Sequence, residues 1–465
     1  MDQSGLQMID AWTPTLDDQP GALYERILRA LERDAQAGVL AGGQRLPPQR
    51  ILAHRMGLSV GTVTKAYLEA ERRGLVIGQV GRGTFVADAR AARAVASDAD
   101  RVIDLSRNVI PNQSAARHLA GLKRRPDFQE VLDYAAPAGP DRHRRAAAAW
   151  LQRAARISIP WDRLVLTNGA QQAMWLSLGV ICRPGDAVLC ENATYYGLKS
   201  IAELNGYSLT GVEMDEEGVT PDALEAAVRR TGAKAVYLMP TMQNPTGKTM
   251  GRARREAIAE TARRLQLWIL EDDNYSLFAP EDEGPLPPIS ALAPERCFYI
   301  SGASKCVSPG LRLGFLGCPS EAHLEAVIRI VRATVYSPSA FGSLIFTTWV
   351  EDGVAYQIAE DVLREVLRRT AVAREVLEPK YAARVVAAPH LWLPMPELEA
   401  ERAAGRALRA GVLVTAPDAP VVGARSLTGV RVCLGGPADV EEVRTGLRRL
   451  QQALGPGDPS EMATI

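Results

Sequence analysis

Three stretches of sequence decide the fold of most of this chain: AVYLMPTMQNPTG at residues 235–247, LWILEDDNY at 267–275 and CFYISGASK at 297–305. Each opens with a short apolar run and closes with a polar motif. A short apolar run of this kind is typical of a strand buried on both faces of a parallel sheet. Ligands of open α/β sheets bind at the carboxyl ends of the strands. The three stretches therefore predict a sheet whose polar groups gather along one edge.

The neighbouring sequence repeats this alternation. Short apolar runs at 164–166 and 187–189 are separated by longer amphipathic segments. The pattern predicts an α/β domain with a mostly parallel sheet. A chain of 465 residues with 47% hydrophobic content can bury a large core, which excludes a disordered or fibrous protein.

Composition and charge exclude several other classes. No uncharged apolar run reaches the ~18 residues that cross a bilayer, and residues 1–20 lack a signal-peptide pattern. The six cysteines include no CxxC pair, which indicates reduced thiols and no metal cluster. We therefore expect a cytoplasmic protein with no membrane association. The 54 basic and 54 acidic residues cancel, so any attraction to nucleic acid must be local.

Such a local asymmetry exists between residues 21 and 90, where eleven basic and six acidic residues leave a net charge of +5. Two short helices are predicted in this segment, one ending at Gly57 and one following Ser59. β-prone runs flank the Gly-Arg-Gly sequence at 81–83. This is the layout of a helix-turn-helix with a wing, whose second helix enters the major groove of DNA. The alternative is a packing module with a solvated basic face.

The polar motifs of the predicted sheet carry the groups that pyridoxal phosphate requires. Lys305 suits a Schiff base, and Asp272 suits a pyridinium nitrogen. Asn244 and Tyr275 are donors for a phenolate, and Arg312 is a donor for a phosphate. Taken singly, such residues are usually a surface lysine, a helix cap or a turn. Together they predict a pyridoxal phosphate site.

Both parts of the chain resemble known families. The sequence LPPQRILAHRMGLSVGTVTKAYLEAERRGLVIGQVGRGTFV at 46–86 resembles the winged helix of GntR-type bacterial regulators. The order and spacing of the sheet motifs resemble fold-type I aminotransferases. The whole chain, over nearly all of residues 20–450, is therefore similar to the MocR subgroup of GntR regulators. The resemblance implies DNA contacts at Arg50, Ser59, Gly61, Thr62, Thr64, Lys65 and Arg82.

The aminotransferase resemblance implies a role for each matching residue. Lys305 is the catalytic lysine that forms an aldimine with the cofactor, and Asp272 keeps the ring nitrogen protonated. Asn244 and Tyr275 hydrogen-bond the ring oxygen, and Tyr195 stacks on the ring. The phosphate is implied to lie against Gly169, Ala170, Gln171, Ser304 and Arg312.

Two further residues are implied to act on other molecules. Tyr134 matches a tyrosine that reaches the phosphate of the neighbouring subunit, which predicts a homodimer. Arg431 matches the arginine that pairs with a substrate carboxylate, here an effector. The sequence departs from the family pattern at Gly302, which lacks a hydroxyl for the phosphate, and at Ala193, which replaces a proline. These departures predict a modest cofactor affinity and a less rigid loop before Tyr195.

The predicted organisation follows from these parts. We expect a winged helix-turn-helix at 15–87, a linker at 88–102, an aminotransferase-like domain with a smaller C-terminal α+β subdomain at 103–453, and a flexible tail at 454–465. The expected function is transcription regulation through operator DNA. The regulatory domain is expected to sense pyridoxal phosphate, an amino acid or amine exchanged at Lys305, or both. The alternative is a working aminotransferase with an accessory DNA-binding domain, and a residual half-reaction is compatible with either.

Overall fold

The fold is described from a computed structural model, in which the chain divides into two compact units, Met1–Arg101 and Val102–Ile465. Residues 88–101 of the predicted linker and 456–465 of the predicted tail lie outside the part that the structure describes. The described residues are 12–17, 22–72, 75–79, 83–86, 102–111, 113–119, 130–279, 286–377, 381, 388–423 and 427–455.

The described residues of the first unit form three helices and a two-stranded antiparallel hairpin. Its core consists of the apolar faces of the helices, with Ile27, Leu31 and Val63 fully buried. Gly57 has φ +64° and ends the second helix, since this left-handed conformation suits a residue without a side chain. The elements are α1 (Leu23–Gln36), α2 (Gln49–Met56), α3 (Val60–Arg72), β1 (Val76–Gln79) and β2 (Gly83–Val86).

The second unit is built on a seven-stranded sheet. The strands of this sheet are β4 (Leu164–Thr167), β5 (Ala187–Glu191), β6 (Ser208–Val212), β9 (Ala235–Leu238), β10 (Trp268–Asp272), β11 (Cys297–Gly302) and β12 (Gly314–Gly317). They lie side by side in the order β4-β12-β11-β10-β9-β5-β6. The strands are parallel except for β12, which runs antiparallel to both of its neighbours, so the predicted mostly parallel sheet is confirmed.

Both faces of this sheet are buried, which explains the continuous apolar runs in the sequence. Successive residues of a strand point to opposite faces, so Val188 and Cys190 pack into one core and Leu189 packs into another.

The described helices of the unit are α4 (Gln113–Leu119), α5 (Asp141–Trp150), α6 (Ala170–Ile181), α7 (Tyr196–Asn205), α8 (Pro221–Thr231), α9 (Arg252–Leu265), α10 (Ile289–Leu292), α11 (Glu321–Thr334), α12 (Ala340–Glu351), α13 (Val354–Val376), α14 (Glu397–Arg409) and α15 (Val440–Leu454).

A smaller α+β subdomain with its own core lies at the C-terminal end. Its strands pair outside the large sheet, and α14 and α15 pack against each other. Among the described helices, none is long and apolar enough to cross a membrane. The remaining strands are β3 (Ile103–Asp104), which pairs with β14 (Val412–Leu413), β13 (His390–Pro394), which pairs with β15 (Gly429–Cys433), and β7 (Met214–Asp215), which pairs with β8 (Gly218–Val219).

Candidate functional site

A cleft of about 160 Å³ lies at the carboxyl ends of the sheet strands. It gathers side chains from Asn108 to Arg431, which are 323 positions apart in sequence. Parallel strands contribute several of them because such strands end at the same edge of the sheet. The predicted site residues that line this cleft are Ala170, Gln171, Tyr195, Asn244, Asp272, Tyr275, Ser304, Lys305, Arg312 and Arg431.

Lys305 ends the short 3₁₀ turn that follows β11. Its Nζ donates a hydrogen bond to the backbone oxygen of Asn108. Burial lowers the pKa of Lys305 to about 8. A neutral amine is the nucleophile that attacks a carbonyl carbon, so a lowered pKa makes this lysine reactive near neutral pH.

Asp272 is the last residue of β10 and is 3% exposed. Its Oδ2 accepts a hydrogen bond of 2.6 Å from the hydroxyl of Tyr237, and its Oδ1 accepts one of 2.5 Å from Asn274 Nδ2. Burial raises the pKa of Asp272 to about 6, while these two bonds favour the charged form. A protonated ring nitrogen in the cleft would supply the opposite charge that the buried carboxylate needs.

Asn244 and Tyr275 line one side of the cleft. Arg431 Nη1 donates to Asn244 Oδ1 at 2.8 Å, so the Asn244 amide nitrogen is left to donate elsewhere. The Tyr275 hydroxyl accepts a hydrogen bond of 2.9 Å from Asn108 Nδ2 and keeps its own hydrogen for another acceptor. Two donors on one side of the cleft fit the ring oxygen of pyridoxal phosphate.

The N-terminus of α6 fits a phosphate group. A helix N-terminus offers free backbone N–H groups and a partial positive charge. Gly169 precedes the helix with φ +92°, and a Cβ there would lie 2.6 Å from Arg312 Nη2. The glycine therefore lets the Arg312 guanidinium approach the helix start, where Ser304 also lines the cleft. Gly169 itself supports this end of the cleft rather than lining it.

Tyr195 immediately precedes α7, and its hydroxyl lies 3.3 Å from Gln171 Oε1. The loop before it, which the replacement of a proline by Ala193 predicts to be less rigid, is hydrogen-bonded to a distant segment of the chain. Thr194 N donates to the oxygen of Pro420 at 2.8 Å. Lys199 Nζ donates to three carbonyl oxygens of residues 418–421 at 3.0 to 3.3 Å. These bonds anchor the Tyr195 loop to the C-terminal part of the unit.

Arg431 lies on β15 and is 3% exposed. Besides Asn244, its guanidinium donates to Thr415 Oγ1 at 3.1 Å and to the oxygen of Ser106 at 3.3 Å. Within the described residues, no carboxylate lies within ion-pair distance of it. A buried guanidinium with only neutral partners favours an anionic ligand in the cleft.

Tyr134 does not line the cleft. Its side chain is 88% exposed, and its ring packs edge-on against Tyr336 with the centroids 5.3 Å apart. Its predicted contact with a neighbouring subunit therefore stays a prediction.

Asn108, Tyr237 and His390 are among the residues that support the cleft but are not predicted from the sequence. His390, to which the sequence assigned no role, is fully buried, and burial lowers its pKa to about 3, which keeps the ring neutral. Its Nδ1 lies 3.4 Å from Asn108 Nδ2, next to the Asn108–Tyr275 hydrogen bond. Tyr237 was read only as part of an apolar strand. No local sequence signal links these residues to the cleft.

Five of the predicted DNA-contacting residues, Ser59, Gly61, Thr62, Thr64 and Lys65, lie at the start of α3 or just before it, and Arg50 lies in α2. Ser59 Oγ accepts from Thr62 N at 3.1 Å, so Ser59 caps this helix. Thr64 Oγ1 donates to Gln49 Oε1 at 2.8 Å and thereby joins α3 to α2. Lys65 Nζ lies 4.0 Å from the centre of the Tyr24 ring.

Side-chain exposure separates these residues further. Arg50, Ser59, Gly61 and Lys65 are exposed, whereas Thr62 and Thr64 are partly buried. Arg82 lies outside the described residues.

Comparison with known proteins identifies both units. Residues 100–450 match the family of class I and II aminotransferases, and residues 23–86 match the gntR family of bacterial regulatory proteins. The chain is 28% identical to the HTH-type transcriptional regulator YdeF of Bacillus subtilis over 458 residues, covering 96% of this chain and 97% of YdeF. It is 27% identical to the vitamin B6 salvage pathway transcriptional repressor PtsJ of Salmonella typhimurium over 440 residues, covering 93% of this chain and 99% of PtsJ.

A solved structure supports the fold of the second unit. An archaeal alanine:glyoxylate aminotransferase superimposes with a TM-score of 0.70 at 23% identity, covering 78% of this chain and 93% of that protein. The match to class I and II aminotransferases implies pyridoxal phosphate as the cofactor, and the groups that line the cleft fit it. The chain belongs to the class I and II aminotransferase family and carries a gntR-family domain ahead of it, the architecture of MocR-type regulators.

Proposed function

We propose that this protein regulates transcription in the cytoplasm: its N-terminal unit binds operator DNA, and its second unit responds to pyridoxal phosphate, to an amino acid or amine, or to both. The observation that carries the proposal is the union, in one chain, of a gntR-type domain with a cleft that holds both a reactive lysine and a buried arginine bonded to neutral groups. A purely metabolic enzyme does not need a gntR-type domain.

The cleft suits an effector with an amino group. When bound, pyridoxal phosphate supplies an aldehyde carbon that reacts with amines. Lys305 supplies an amine with a pKa of about 8, so an effector amine competes with it at neutral pH. Arg431 offers its guanidinium to a carboxylate, which favours an amino acid over a simple amine.

The same two residues explain how binding is converted into a signal. Lys305 follows a strand of the large sheet, whereas Arg431 lies on a strand of the C-terminal subdomain. An effector that contacts both residues bridges the two parts of the unit. Such contacts exist only in the liganded state, and a ligand shifts a conformational equilibrium by its differential affinity alone. Effector binding therefore favours one arrangement of the subdomain.

The rival function is a working aminotransferase with an accessory DNA-binding domain. Lys305, Asp272 and Arg431 are compatible with it. The names of the relatives favour regulation, because YdeF and PtsJ span more than 90% of this chain and both carry regulator names. We also propose a homodimer, in which Tyr134 reaches the partner's cofactor site and the paired DNA-binding units contact two half-sites.

Operator affinity decides between these functions. The promoter DNA bound by the protein is mapped first, and its affinity is then measured by fluorescence anisotropy with and without candidate amino acids and amines. The wild-type protein should change its affinity on addition of an effector. Lys305→Ala should bind DNA but lose the response, and Arg431→Ala should weaken the response to effectors with a carboxylate, with Arg431→Lys as the matched control.

Two results would contradict the proposal. A protein that turns over amino donors and acceptors but binds no promoter DNA would be an aminotransferase. A full amine response in Lys305→Ala would exclude exchange at this lysine and leave cofactor occupancy as the signal.

A further inference from the structure

The second unit contains another cavity, of about 230 Å³, which shares no lining residue with the cleft around Lys305. We call it the Asp273 cavity. Its walls include the apolar side chains of Trp150, Leu277, Tyr356 and Leu363 beside charged and hydroxyl groups. Binding pockets for small molecules combine such walls with a few polar groups that fix orientation. The charged groups of the Asp273 cavity therefore indicate what it binds.

A buried carboxylate with an unused oxygen lies at the inner end. Asp273 is 2% exposed, and its Oδ2 accepts a hydrogen bond of 2.8 Å from the Tyr299 hydroxyl. Its Oδ1 is buried and has no hydrogen-bond partner of ordinary geometry among the described residues. The hydroxyl groups of Thr241 and Ser276 are near enough to lower the pKa of Asp273, but burial outweighs them and raises it. A buried carboxylate oxygen that accepts no hydrogen bond of good geometry is costly, so Oδ1 has capacity for a further donor.

The balance of charge at the inner end favours a cation. Arg255, 1% exposed, donates to the backbone oxygens of Met250 and Pro240 at 2.9 and 3.0 Å and forms no ion pair within the described residues. Two buried carboxylates, Asp273 and Glu271, act on this single guanidinium through their charges, and the oxygens of Glu271 accept hydrogen bonds from the backbone N–H groups of Ile289 and Ser290. An additional ammonium group would neutralise the excess negative charge.

The mouth of the cavity carries the opposite charge. Arg153 and Arg156 line it and are exposed, as is Glu360. The Arg153 guanidinium lies 4.0 Å from the centre of the Tyr356 ring, which holds it at the wall. Arg153 belongs to a single π-helical turn at Leu151–Ala155, a local irregularity that often marks functional sites.

We propose that the Asp273 cavity binds a hydrophobic amino acid, whose ammonium group contacts Asp273 Oδ1, whose side chain packs against Trp150 and Tyr356, and whose carboxylate faces Arg153. The ligand class follows from the arrangement of one buried carboxylate, apolar walls and exposed guanidinium groups. The site is distinct from the cleft around Lys305, and it does not depend on exchange at that lysine. Because Asp273 directly follows Asp272, occupancy of the cavity changes the charge beside the cofactor site.

Calorimetric titration of the holoprotein after borohydride treatment tests this proposal. The treatment fixes the cofactor to Lys305, so an added amino acid cannot exchange there. A preparation that contains no bound cofactor is titrated in the same way. Because it contains no aldehyde, L-phenylalanine binding measured with it does not depend on the function proposed above. The probes are L-phenylalanine, 2-phenylethylamine, which lacks the carboxylate, and 3-phenylpropanoate, which lacks the ammonium group.

L-phenylalanine should bind once per chain, and each of the other two probes should bind at least tenfold more weakly. Asp273→Asn should weaken L-phenylalanine binding at least tenfold. Glu360→Gln, which removes an equal charge at the mouth, should leave it within twofold. Arg431→Ala should also leave it unchanged, because that guanidinium lies in the other cleft.

A second variant covers the case in which Asp273→Asn fails to fold. Leu363→Trp fills the cavity without altering Asp273 and should abolish binding. The proposal is overturned if L-phenylalanine does not bind, if either single-charge probe binds as tightly, or if binding survives Leu363→Trp. Loss of binding in Arg431→Ala would equally overturn it, since the ligand would then occupy the cofactor cleft.

Discussion

Replacing Tyr237 by phenylalanine removes a single oxygen atom from the interior of the sheet and should selectively weaken the cofactor site. The Tyr237 hydroxyl donates at 2.6 Å to Asp272 Oδ2, and Tyr237 is completely buried. A hydrogen bond to a charged group contributes about 1.5–3 kcal/mol. Since one pKa unit corresponds to about 1.4 kcal/mol, its loss should raise the pKa of Asp272 further by about one to two units.

The sign of the effect follows from the charge that the cofactor needs. The bond favours the ionised form of Asp272, whose pKa burial already raises to about 6. Without the bond, less of the carboxylate is ionised at pH 7 and its pairing with a protonated ring nitrogen is weaker. Cofactor affinity at pH 7 should therefore fall roughly tenfold or more, since about 1.4 kcal/mol corresponds to a factor of ten.

A matched control is available on β11, which lies on the other side of β10 from the strand of Tyr237. Tyr299 is 1% exposed and donates at 2.8 Å to Asp273, so Tyr299→Phe removes an equivalent hydroxyl beside the adjacent carboxylate. Cofactor dissociation constants are measured from the absorbance of the bound cofactor for the wild type and both variants. Equal affinities in Tyr237→Phe and Tyr299→Phe would refute the reasoning, because the loss would then be unrelated to Asp272.

Three further predictions concern the cofactor and the DNA. Cofactor uptake, followed by absorbance, should accelerate with pH, reach half of its maximal rate near pH 8 and level off above that, because burial lowers the pKa of Lys305 to about 8; a rate that is still rising steeply at pH 10 would contradict this. Gly169→Ala should reduce cofactor affinity strongly, because its Cβ would lie 2.6 Å from Arg312 Nη2, whereas Gly185→Ala, with nearly the same φ but no atom within 4 Å, should not. Arg50→Ala should reduce the salt dependence of DNA binding by about one lost phosphate contact, and an unchanged slope across a salt series would exclude that contact.

Local patterns were sufficient to predict much of the site. Asn244, Asp272 and Lys305 each lie within about five residues of the end of an apolar run, and strand direction alone brings such residues to one edge of the sheet. The antiparallel strand Gly314–Gly317 was not predicted, because four residues that begin and end with glycine resemble a turn. A Cβ at Gly314 would lie 2.4 Å from the backbone of Gly169, so close packing, invisible in the sequence, requires glycine there.

The residues that support the site could not be predicted from local sequence patterns. Asn108 contacts Lys305 across 197 positions of sequence and His390 across 282. Such contacts depend on how the C-terminal subdomain packs against the sheet. The hydrophobic periodicity of the sequence carries no information about that packing. The loop before Tyr195 and the start of α7 show the same limit, because the carbonyl groups that Thr194 N and Lys199 Nζ contact come from residues more than 200 positions away.

That anchor also has a consequence for how the sequence can diverge. Lys199 bonds to the main-chain oxygens of Asp418, Ala419 and Val421, and every residue type has such an oxygen. Side chains in this segment can therefore be exchanged in related proteins without loss of the contact, provided that the path of the backbone is kept. The requirement falls instead on position 199, where three hydrogen atoms on one ammonium group satisfy three acceptors. In an alignment of related sequences, we expect the residue types at 418–421 to vary and the lysine at position 199 to be conserved.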